Sequence, residues 1–173
     1  SEDGANTFQT DFSRYQEMYT GPESEPNRSL SKYISTISDG QVTVNTYFPQ
    51  VVNNVFLPVT IQGSASDYPD ASSGEQFVQK VITAAQNMGE LSFPSKLDSM
   101  RGDRYIDNLT IIVQVDGNNA GGAFGSRKAD LGDNQTLLHG WHVGAYNVLP
   151  TNMLRLGSDF DQGYALASHE FLH

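Results

Sequence analysis

Two histidines four residues apart, with a glutamate directly after the first, form the stretch His169-Glu170-Phe171-Leu172-His173. This spacing constrains the fold strongly, because it carries chemistry only on a helix, where positions i and i+4 stack on one face one turn apart. Two imidazoles placed that way reach one Zn²⁺ together, and the glutamate sits a short step from a water on that metal. Zinc lowers the pKa of such a water towards neutrality, so a carboxylate can take its proton and later hand it to a leaving amine. His169 and His173 are therefore the candidate metal ligands, and Glu170 the candidate general base and acid. The neighbourhood suits a helix: 163–173 contains no proline and is rich in Ala and Leu. Tyr164, Ala165, Leu166, Ala167, Phe171 and Leu172 make it apolar over much of its circumference, as expected of a helix buried in a domain. Asp159 or Asp161 is a candidate cap for its start. The plainer alternative is a core helix whose histidines are merely hydrogen-bonded. Against it, the three fixed residues arise by chance in roughly one chain of this length per hundred.

A catalytic zinc takes three protein ligands and keeps one position open for water. The motif supplies two, so the third ligand is expected outside this chain, as a histidine or aspartate a few residues on or a glutamate further downstream. On that ground the chain reads as a fragment that is inactive alone. The other metal-like constellations are weaker. His139 and His142 flank Trp141 with H-x-x-H spacing, but at the entrance to a strand that spacing sends the side chains to opposite faces, so both read as ordinary loop histidines. Asp98, Asp103 and Asp107 surround a turn and are a candidate Ca²⁺ site, although Met100 and Gly102 stand where the EF-hand pattern requires oxygen ligands. Arg101-Gly102-Asp103 is read as a solvated turn.

Other chemistries lack their residues. There is no cysteine, hence no disulfide framework and no thiolate site or nucleophile. The glycine-rich loop 116–122 lacks the Gly-Lys-Ser/Thr ending that cradles phosphates. No G-x-S-x-G elbow is present. Asn27, Asn108 and Asn134 lie in N-x-S/T sequons. A formal charge of −10 makes nucleic acid and anionic membrane surfaces poor partners. No apolar run is long enough to span a membrane, and 173 residues suit a single domain, 1–173, with a real core. Oligomeric state leaves no mark in the sequence.

Patterning predicts an amphipathic helix carrying Phe8, Phe12, Tyr15, Met18 and Tyr19, ended by Gly21-Pro22. A second helix carries Leu30, Tyr33, Ile34 and Ile37, capped by Ser29 or Ser31 and stopped by Asp39-Gly40. Val42, Val44, Thr46 and Phe48 alternate with polar residues as in a half-buried strand, and Val55 to Ile61 is a strand interrupted by Pro58. Ser72 to Glu75 matches a capping box opening a helix with Phe77, Val78, Val81, Ile82 and Ala85 on one stripe. Leu109 to Val115 is the most apolar run and reads as a central strand covered on both faces. Val143 to Leu149 is a further strand, closed by Pro150. One mixed sheet flanked by helices, an α+β fold, is the economical arrangement.

The block Ser29-Leu30-Ser31-Lys32-Tyr33-Ile34 with Ser38-Asp39-Gly40-Gln41-Val42-Thr43-Val44 resembles a block of the M6-type metallopeptidases, the immune inhibitor A group. Gly102 to Thr110 is similar to that family's acidic turn into its central strand, Val143-Gly144-Ala145-Tyr146-Asn147 to the segment before its zinc helix, and His169 to His173 to its zinc motif. The resemblance implies a secreted bacterial zinc endopeptidase acting on protein or peptide substrates. It implies a zincin-like N-terminal subdomain in which a mixed twisted sheet is flanked by helices and the H-E-x-x-H helix lies at the C-terminal end. It also implies His169 and His173 as ligands of one catalytic Zn²⁺, with Glu170 as base. The alternatives are a non-catalytic extracellular binding domain on the same scaffold and a zinc hydrolase of a non-peptide bond. For an extended peptide substrate, Val143 to Leu149 is the expected pairing edge and Val55 to Ile61 the second candidate.

Overall fold

A computed structural model describes residues 13, 15–21, 29–49, 51–52, 55–63, 67–68, 71–89, 91, 105–114, 127–130, 137–143, 145–151, 165, 167–169 and 171–172. The chain is mixed helix and strand and divides into two compact units, Ser1–Phe48 with Leu154–Leu172, and Pro49–Met153 with His173.

In the first unit, residues 15–20 form helix α1 and bury Tyr15, Met18 and Tyr19. Phe8 and Phe12, expected on the same stripe, lie outside the described residues. Gly21 takes up the amide bond to the Glu17 carbonyl (2.8 Å) at φ +80°, a conformation that strains any residue with a Cβ. Helix α2, Leu30–Ile37, starts as its sequence predicts: the Ser29 hydroxyl accepts from the Lys32 amide at 3.2 Å, with Ser29 in extended backbone. That serine is buried, and a side chain at Gly21 would meet its Oγ at 2.9 Å. The end of α1 and the start of α2 thus approach closely at Gly21 and Ser29. At the other end Asp39 and Gly40 adopt positive φ, while the Gly40 and Asp39 amides donate to the Ser35 and Thr36 carbonyls. This is a Schellman stop. Leu30 and Ile34 are buried as expected, but Ile37 is 55 % exposed. It sits in the turn where the helix ends, beyond the packed part of the stripe.

Residues 42–48 do not form the expected strand. Their burial does alternate, with Val44, Thr46 and Phe48 half-buried and Thr43, Asn45 and Tyr47 exposed, yet they join no ladder. Alternation states which way side chains face; a strand also needs a partner backbone, and none of the described residues supplies one. Phe48 instead packs edge-on against Tyr19, ring centroids 6.2 Å apart.

The second unit is built on strands. Val51–Val52 (β1) and Val55–Phe56 (β2) form a short antiparallel hairpin. The expected strand therefore ends at Phe56 rather than Ile61, and Pro58, with no N–H to give, lies in the unladdered part. Helix α3, Ala71–Asn87, buries Phe77, Val78, Ile82 and Ala85 and half-buries Val81. Ser72 to Glu75 lie inside this helix, so they do not form the capping box, which needs its first residue in extended backbone. The Lys80 ammonium donates to the Tyr68 hydroxyl (2.9 Å); this bond, helped by the negative charge of nearby Asp67, holds the lysine above its usual pKa range. Tyr68 in turn packs edge-on against Phe77.

Strands β3 (Tyr105–Ile106), β4 (Leu109–Val113), β5 (Arg127–Asp130), β6 (Leu137–Leu138), β7 (Trp141–Val143) and β8 (Ala145–Pro150) make two three-stranded ladders, ordered β3-β7-β6 and β4-β8-β5. β3 and β4 run parallel to β7 and β8 in one common register, Tyr105 opposite His142 and Leu109 opposite Tyr146. β5 and β6 run antiparallel on the other side. The arrangement reverses two expectations. β8, taken from sequence as an edge, is the middle strand, with Tyr146, Asn147, Val148 and Leu149 all buried. β4, taken as the covered central strand, is the outer member of its ladder among the described residues and fully buries Ile111 alone. Composition reports how apolar a strand is; its place in the sheet follows from which segments return to pair with it.

The β6–β7 connection is a two-residue turn with His139 and Gly140 both at positive φ (49° and 84°), the type I′ geometry that matches strand twist. His139 tolerates this conformation because it is tied down. Its amide donates to the Gln86 side chain, and its Nε2 lies 3.3 Å from the Ala85 carbonyl at the end of α3. Inside the ladder, Asn147 donates to the Asn108 side-chain oxygen (3.2 Å), which also accepts from the Thr110 hydroxyl (3.3 Å). A buried amide in a middle strand is stable only when bonded in this way.

Four variants measured by chemical denaturation test these readings. Ser29→Ala removes the cap of α2 and is expected to destabilise by about 1 kcal/mol; no change would mean the bond to Lys32 contributes nothing. Gly140→Ala, with nothing within 4 Å of the new methyl, is expected to cost about 1 kcal/mol of backbone strain alone. Gly21→Ala should cost more, because the methyl also meets Ser29; equal losses would refute that contact. Tyr146→Ala should destabilise by about 3 to 5 kcal/mol, as for a fully buried aromatic, whereas a loss below ~1 kcal/mol would return β8 to the edge.

Candidate metal centre

The residues flanking and including the first motif histidine are helical at 165, 167–169 and 171–172. That agrees with a stretch of alanine and leucine free of proline. The segment has two sides. Ala167 and Ser168 are buried at 1 % and 5 % exposure, while Ala165, His169 and Leu172 are exposed. The exposed residues follow the i, i+4, i+7 spacing of one helical stripe. Apolar composition predicts a helix buried on most sides; instead a stripe opens outward, and His169 stands on it. Short Ala and Ser side chains supply the buried side, so the helix can pack closely there and leave the imidazole side open.

An imidazole on the open side of a helix is reachable by a metal ion, and neutral imidazole nitrogen is a donor that suits zinc and its borderline neighbours. Of the donor set the motif implies, the described residues contain the His169 imidazole alone. Glu170 and His173 lie outside those residues, as do Asp159 and Asp161. No cluster of three or more His, Cys, Asp or Glu side chains able to hold a metal occurs among the described residues, which contain one of the three motif members.

The remaining candidates separate clearly. His139 is engaged at the I′ turn with the end of α3, a structural role that sequence reading could only render as a loop histidine. His142 lies in β7, in register with Tyr105 on one side and Leu137 on the other. Of the three aspartates proposed for calcium, Asp107 is exposed in the bend between β3 and β4, and Asp98 and Asp103 lie outside the described residues. The same is true of Arg101-Gly102-Asp103, of the glycine-rich loop 116–122 and of sequon residues Asn27 and Asn134. Asn108, the third sequon asparagine, is half-buried and uses its side-chain oxygen to hold Thr110 and Asn147.

Sequence reading missed Ser168. It is buried directly before His169, and its Oγ makes no hydrogen bond among the described residues. The available signal was a lone hydroxyl within an apolar helical run. The expected substrate edge also changes. β8 is paired along both sides, by β4 and by β5, so its backbone has no row of groups left for an extended peptide. No helix among the described residues is long and apolar enough to cross a membrane. Compared with known proteins, the chain matches no family model, and no curated protein matches it significantly.

Proposed function

We propose that this chain carries catalytic residues of a secreted zinc endopeptidase of the immune inhibitor A type, on a zincin-like fold. The observation that supports the reading most is the placement of His169 on the exposed stripe of a helical segment, within a motif whose spacing serves a metal only on a helix. The mixed α+β architecture agrees with the proposal without being particular to it.

His169 and His173 are the residues that would hold the metal, each through a ring nitrogen. When bound, zinc supplies Lewis-acid polarisation of the scissile carbonyl and acidifies a water towards neutral pH. Glu170 is the proton carrier: its carboxylate takes a proton from the attacking water and returns it to the departing amine. Glutamate in this role is not a ligand, so metal content and turnover separate in its variants. The charge of −10 disfavours polyanionic substrates; protein or peptide as the substrate class is what the resemblance implies.

The test is hydrolysis of a denatured protein by the protein at its full natural length, with zinc content measured on the same samples. Wild type is expected to cleave and to stop on chelation. Glu170→Ala should keep its zinc and lose at least about 10²-fold in rate, and His169→Ala should lose the zinc itself. A zinc-loaded wild type that cleaves nothing, or a Glu170→Ala variant as fast as wild type, would overturn the proposal.

A further inference from the structure

We draw no further inference here: the strongest candidate, the exposed apolar side chains Ile37, Val42 and Tyr47 at the end of α2 and along the unladdered stretch 42–48, carries nothing, because nothing in the structure shows what covers that face.

Discussion

The second unit depends on one strand having neighbours on both sides. β8 is short, but each of its backbone edges is taken, in parallel by β4 and in antiparallel by β5. Pairing on both edges lets a strand be buried on both faces without orphaned amides. Tyr146, Val148 and Leu149 can therefore sit fully buried, and Tyr146 and Val148 join a core with Val78 and Ile82 of α3, Ile111 of β4 and Val143 of β7. The same burial obliges Asn147 to find a polar partner, and Asn108 is that partner. Register is then specified twice, by the apolar set and by one amide pair. A slip of one residue would change which side chains are buried and break the Asn147–Asn108 bond.

The first unit depends on close approach rather than on a ladder. The contact between Gly21 and the buried Ser29 fixes how α1 ends relative to where α2 begins. A residue with a Cβ at position 21 would collide with the hydroxyl that caps α2. Local signals and packing agree at this point: glycine serves the positive φ and the close contact at once, while serine serves the cap and the buried position. The described part of the candidate metal helix, which includes His169, belongs to the same unit. Its packed side is made of the small residues Ala167 and Ser168, which leaves His169 facing outward.

Much of this was readable before any coordinates, for local reasons. The Ser29 cap, the Asp39-Gly40 stop and the stripe Phe77, Val78, Ile82 and Ala85 each follow from interactions spanning five residues or fewer. Helicity around His169 follows likewise from composition and the absence of proline. The misreadings have two causes, a deciding partner that lies far away in sequence and a helix boundary that the local pattern does not fix. Residues 43–48 alternate in burial as a strand would, but pair with no strand among the described residues. Ser72 to Glu75 match a capping box, yet the helix already begins at Ala71.

What the sequence determined by itself is the set of local conformations and the identity of the motif His169, Glu170 and His173, because helix geometry and donor chemistry act over a single turn. What only the tertiary structure decided is position: that β8 rather than β4 lies in the middle, that His139 clamps onto the end of α3, and that His169 stands on an open stripe. Hydrogen-bonded neighbours in a sheet, and the side of a helix left uncovered, are set by segments distant in the chain, and no local pattern of apolar and polar residues encodes which of those segments arrives.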